Sequence, residues 1–112
     1  MEPIQDISWM RQMLYGRVLE KFSYEEFSAV SIELEHEKQG FRDPYRYRIL
    51  FFPKNDRKPV LAMNMESTIL GSCNLTEHSG GEHRNFGPVD ETFSYEDFKS
   101  WALSKAKEEI RH

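Results

Sequence analysis

Residues 30–53 read VSIELEHEKQGFRDPYRYRILFFP, and how this stretch folds back on itself decides the architecture. In its first part Val30, Ile32, Leu34 and His36 alternate strictly with Ser31, Glu33, Glu35 and Glu37. A period of two marks a strand with one covered face, because successive strand side chains point to opposite sides. In its last part Tyr45 to Pro53 is dense in aromatic and β-favouring residues, the composition of a second strand. A hairpin that closes with Lys38 opposite Tyr45 sets Glu37 beside Arg46, Glu35 beside Arg48, Leu34 beside Ile49 and Ile32 beside Phe51. Opposite charges then meet, and apolar side chains meet apolar ones. A helix ending at Gly40 is the competing reading of residues 24–39, since glycine is a usual helix stop.

Downstream, Val60 to Glu66 (VLAMNME) follows the turn-like run Asn55-Asp56-Arg57-Lys58 and reads as a third strand. Ile69 to His78 reads as a fourth, and Gly80-Gly81 is a hairpin signal leading into a short returning strand, His83 to Phe86. Upstream, Ile7, Met10, Leu14 and Val18 recur at helical spacing behind Asp6, a candidate N-cap, and predict a helix to about Lys21. At the other end Phe98, Trp101, Ala102, Ala106 and Ile110 mark one face of a second helix, with Glu96 and Asp97 early and Lys107 late, as the helix dipole favours.

A six-residue repeat, Phe22-Ser-Tyr-Glu-Glu-Phe27 and Phe93-Ser-Tyr-Glu-Asp-Phe98, places serine at an N-cap, an acid three residues on, and phenylalanine at both positions of a hydrophobic staple. Both copies predict helix starts. The whole is one domain spanning residues 1–112. It is of the α+β class, with an antiparallel four- to five-stranded meander flanked by an N-terminal and a C-terminal helix, in the order α-β-β-β-β-(β)-α.

Closing the second hairpin with Lys54 opposite Pro59 brings Phe51 beside Ala62 and Ile49 beside Asn64, one apolar face to which both helices are assigned. The opposite face carries Leu50, Phe52, Leu61, Met63 and Met65, a partner-binding candidate in which methionine suits an adaptable surface. On the helix-facing side His36, Asn64 and Glu66 are positioned to line a pocket. The Gly80-Gly81 hairpin sets His78 beside His83, two imidazoles that supply two metal ligands and need a third. Cys73 and His78, five apart on a strand, point to opposite faces and cannot share an ion.

Composition bounds the rest. With 112 residues, 38% apolar and 30% charged, the chain is too aromatic to be disordered and too polar to be a membrane protein. The first ten residues contain no basic start or long apolar run, so the expectation is a cytoplasmic protein without membrane association. The single cysteine excludes an intramolecular disulfide. Tyr45-Arg46-Tyr47-Arg48 interleaves rings and guanidiniums as a base-stacking surface does, but the net charge of −4 argues against nucleic acid as a partner. No nucleophile, base and orienting acid share a local signature, Gly80-Gly81 lacks the residues of a phosphate loop, and no cofactor is implied. The expected function is that of a binding or interaction module, such as an adaptor, inhibitor or chaperone-like protein, acting on a protein partner or on itself as a homodimer. The alternative is a small metal-binding protein or enzyme built on His78 and His83 or on the His36, Asn64 and Glu66 group.

Overall fold

The computed structural model describes residues 2–34, 44–67 and 72–110. Among the described residues helix α1 (Ser8–Tyr15) precedes six strands, β1 (Arg17–Ser23), β2 (Phe27–Glu33), β3 (Tyr45–Pro53), β4 (Leu61–Ser67), β5 (Cys73–Ser79) and β6 (Glu82–Val89), and helix α2 (Tyr95–Ile110) follows them. The strands form one antiparallel sheet in sequence order, an α+β meander with one strand more than the upper expectation. Among the described residues no helix is long and apolar enough to cross a membrane.

The additional strand is β1, which replaces the second half of the expected N-terminal helix. Gly16 makes the break. Its backbone is extended, and a Cβ there would lie 2.5 Å from Ile32 Cγ2 and 2.6 Å from the Gln12 carbonyl oxygen. Only glycine lets the chain pass so close to β2 and turn from helix into strand.

The first copy of the repeat forms the β1–β2 hairpin rather than a helix start, with Tyr24 N–H donating to the Phe27 carbonyl at 2.8 Å. The second copy does start a helix. Asp97 N–H donates to Ser94 Oγ at 3.1 Å and Ser94 N–H donates to Asp97 Oδ2 at 2.9 Å, a reciprocal capping box. The downstream residues decide between the two outcomes. Those after Phe27 alternate with period two and pair on both sides with strands, whereas those after Phe98 repeat as a helix does.

Both hairpin registers differ from expectation by an odd number of residues. Ile32 lies opposite Arg48 rather than Phe51, and Phe51 lies opposite Leu61 rather than Ala62. An odd slip exchanges the faces on which neighbouring strands meet. Glu35, Glu37, Lys38 and Gly40 lie outside the described residues, but the expected Glu35–Arg48 pair is replaced by Ile32–Arg48.

The two helices consequently cover opposite faces of the sheet, not one. Beneath α2 lie Phe27, Ala29, Ile49, Phe51, Leu61, Met63, Met65 and Leu75, with Phe98, Ala102 and Ala106 facing them from the helix. Beneath α1 lie Ile32, Leu34, Tyr45, Leu50 and Ala62, together with Ile4. Backbone bonds from Ile4 to Pro59 (2.9 Å) and from Gln5 to Gly80 (3.0 Å) stitch the N-terminal segment across the ends of the β3–β4 and β5–β6 connections. Tyr95 bridges α2 to the far edge, donating to Glu20 Oε2 at 2.7 Å with Ser31 Oγ 2.8 Å away.

Candidate functional site

The five apolar residues expected to form a partner surface do not share a face. Leu50 and Phe52 point toward α1, whereas Leu61, Met63 and Met65 point toward α2, and all but the half-buried Phe52 are buried. The sheet patch is therefore inside the fold. Of the pocket residues, His36 lies outside the described residues, Asn64 is fully buried, and Glu66 is half-buried near the end of β4. Tyr45 and Arg48 are also buried, and Tyr47 packs on Tyr95 and Phe98, which removes these rings and this guanidinium from the exposed surface that base stacking requires.

Asn64 belongs to a polar cluster that sequence reading missed. Arg48, 1% exposed, donates through Nε to Asn64 Oδ1 (2.7 Å) and through Nη1 to Gln12 Oε1 (2.7 Å), and its Nη2 lies 3.3 Å from His78 Nδ1. The guanidinium also sits 4.4 Å over the Tyr45 ring. Asn64 Nδ2 reaches His78 Nδ1 (3.0 Å) and Thr76 Oγ1 (3.2 Å). Thr76 donates to Glu66 Oε2 (3.0 Å), where His83 Nε2 also arrives (3.3 Å). The chain of bonds runs from α1 through β3, β4 and β5 to the exposed imidazole on β6.

His78 and His83 stand side by side with ring centroids 4.5 Å apart. His78 Nδ1 faces two donors, Arg48 and Asn64, so it acts as the acceptor and the ring is the neutral Nε2–H tautomer. Burial, followed by the charges of Arg48 and His83, depresses its pKa to about 4. A metal on Nδ1 would displace both bonds, and one on Nε2 would require the proton to move to Nδ1 with the same loss. Among the described residues no group of three or more His, Cys, Asp and Glu side chains could hold a metal ion.

On the opposite face Glu77, paired with Arg84 across the β5–β6 hairpin, is 1% exposed. Arg84 Nη1 bridges Glu77 (3.3 Å) and Glu109 (3.1 Å) in the last turns of α2. Burial and then Glu109 push the Glu77 pKa up to about 7 against the pull of Arg84. The buried Oε1 of Glu77 has no hydrogen-bond partner among the described residues, an unmet acceptor that adds to the cost of ionising the group. A bulge between Leu75 and Thr76 shifts the rest of the hairpin, so Leu75 meets Gly87 rather than Phe86. A cleft of about 420 Å³ near the β4–β5 connection is lined by Arg46, Met65, Cys73, Asp90 and Phe93 among others, and the Cys73 thiol is partly buried there.

Among the described residues, three of the five exposed large apolar side chains lie on or beside α1. Ile7, Met10 and Leu14, expected to face the core, are 70%, 54% and 88% exposed, and Val18, opposite Ile32 on the edge strand β1, is 40% exposed. The inner face instead carries the buried Gln12 with Trp9, Met13 and Tyr15, Trp9 meeting Phe52 edge to face at 6.0 Å. The helix is turned this way because the sheet beneath it presents Arg48 and Asn64, which require a polar partner. One signal was in the sequence: Asn64 interrupts the otherwise apolar run Val60 to Met65, whereas Gln12 and Arg48 stand close to the charged Arg11 and Arg46 and carry no such mark. The chain matches no protein-family model, no curated protein and no solved structure.

Proposed function

We propose that the protein is a small interaction module whose contact surface is the outer face of α1. One observation carries this reading: a helix that buries a glutamine while holding Ile7, Met10 and Leu14 in water, at spacings of three and four along one side. Scattered exposed apolar residues are ordinary, but a stripe aligned along one side of a helix is the pattern of a surface meant to be covered. Methionine at its centre suits such a contact, being flexible and polarizable. An adaptor, inhibitor or chaperone-like role uses a surface of this kind, and the expected apolar face is thereby moved from the sheet to the helix.

Replacing Met10 and Leu14 together with glutamine tests the reading. The parent protein, kept dilute, should bind a hydrophobic fluorescent dye, and the double variant should lose that binding with an unchanged melting temperature, since surface substitutions typically change stability by less than about 0.5 kcal/mol. A melting temperature lowered as far as by a core substitution, or a dilute parent that binds no dye, overturns it. A metal-binding or catalytic role for His78 and His83 has less support, because the accepting nitrogen of His78 is already engaged by Arg48 and Asn64.

A further inference from the structure

We infer that the occupant of the α1 face is a second copy of the chain, its α1 antiparallel to the first about a dyad between Met10 and Arg11. This rests on the reading of α1 as a contact surface and names what covers it. The ends of the stripe are exchanged about that point: with residue i facing residue 21 − i, Ile7 meets the partner's Leu14, and the two Met10 side chains flank the axis, each beside an arginine at position 11. A twofold axis requires such self-complementarity, since each residue must find its opposite on the same patch.

Charge sets the direction. Asp6 stands at the N-terminal end of the stripe and Arg11 beside its middle, whereas Glu2 lies against the Gly80–Gly81 turn and Arg17 pairs with Glu33 at 3.4 Å. The Arg11 guanidinium is drawn along its own helix to 6.0 Å from the Tyr15 ring centroid. In the antiparallel arrangement residue 15 faces residue 6, so Arg11 approaches the opposing Asp6, and the same contact repeats across the axis. Parallel helices would place acid beside acid and arginine beside arginine, and would align the two helix dipoles unfavourably.

The other obvious route to self-association, pairing of sheet edges, is obstructed at both ends. Edge strand β1 is bulged between Val18 and Glu20 and displays Arg17 and Lys21. Edge strand β6 is bulged beside Thr76 and carries in its last residues Gly87, at φ 101°, and Pro88, which offers no N–H. Bulges, charges and proline are the devices that keep edge strands from pairing.

The contact is small, two turns of helix on each side, so the dimer should be weak, dissociating in the micromolar range. Sedimentation over a concentration series should show a monomer–dimer equilibrium that Leu14→Glu weakens roughly tenfold or more. In a Cys73→Ser background, a mixture of Ile7→Cys and Leu14→Cys proteins should cross-link to each other faster than either does to itself, while Met10→Cys should cross-link to itself. A dimer unaffected by Leu14→Glu, or preferential Ile7–Ile7 cross-linking, overturns the inference. A parent that remains monomeric throughout overturns it too; if that monomer still loses dye binding with the Met10 and Leu14 double substitution, the contact-surface reading survives and only the identity of the occupant fails.

Discussion

Above neutral pH, Glu77 should become a liability that a single amide removes. Its carboxyl is buried between β5 and the last turns of α2, its pKa is raised from 4.5 to about 7, and its neighbours are Glu109 from α2, Arg84 from β6 and the apolar Met63 from β4. Because the folded pKa is the higher one, the folded state holds the proton more tightly. The stabilisation is complete below the unfolded value and is lost as pH rises through the folded one. The full difference corresponds to roughly 3 kcal/mol, and sharing of charge with Arg84 and Glu109 reduces the expected effect to about 1–3 kcal/mol. His78 opposes it at lower pH: its depressed folded pKa of about 4 makes stability rise as the unfolded imidazole loses its proton near pH 6.5. The quantity to follow is therefore the difference between parent and Glu77→Gln, an isosteric neutral variant that can donate to Glu109. Urea unfolding should place the two within about 1 kcal/mol at pH 5 and the variant about 1–3 kcal/mol above the parent at pH 8. Amide exchange in the last turns of α2 should be faster in the parent at pH 8. Parallel pH profiles from 5 to 8 would refute the reasoning, since they would mean that Glu77 is ionised, or solvated, throughout.

Gly16→Ala should destabilise the fold by about 3 kcal/mol in denaturant titration, because the new Cβ would overlap the Gln12 carbonyl as well as Ile32 and Leu34. Ser94→Ala should cost about 1 kcal/mol and Ser23→Ala less than about 0.5 kcal/mol, although the two serines occupy the same place in the repeat, because only Ser94 closes a capping box. Gln12→Ala should cost roughly 2–4 kcal/mol by leaving a buried Arg48 donor without its acceptor, whereas replacing Gln12, Arg48 and Asn64 together with Leu, Met and Leu should lower the melting temperature by less than the three single losses added, because the buried charge is gone and the half-buried His78 Nδ1 is the acceptor left to find a new donor. Near-neutrality of Gln12→Ala would show that water reaches the guanidinium from α1.

What could be read from the sequence was local. Strands β3 and β4, the Gly80-Gly81 hairpin with His78 opposite His83, and helix α2 with its Phe98, Ala102 and Ala106 face each derive from chemistry confined to a few neighbouring residues. Register did not. The expected pairing of Glu35 and Glu37 with Arg48 and Arg46 used cross-strand charge contacts, worth a few tenths of a kcal/mol each. Seating Ile32, Ile49, Leu50 and Phe51 in two dry layers is worth about 1.5–3 kcal/mol per side chain and overrides them. The five-residue sheet patch dissolved for the same reason, since an odd register change returns half of any proposed face to the other side.

The orientation of α1 turns on one side chain. Judged alone, its stripe of Ile7, Met10 and Leu14 belongs in the core, and burying it would recover several kcal/mol of apolar transfer energy. Arg48 makes that arrangement untenable. A guanidinium held at 1% exposure by strands on both sides must have its donors met, and leaving one unmet costs about as much as the burial of an apolar residue gains. Turning the helix so that Gln12 faces Arg48 at 2.7 Å meets that demand and puts the stripe outside. The surface proposed as the working face is thus the consequence of a polar residue in the sheet beneath it, and the two should be linked: an Arg48→Met protein loses the bond that fixes Gln12 beneath the helix, so amide exchange in α1 should be faster than in the parent even though no residue of the helix has changed, and unchanged exchange would refute the link.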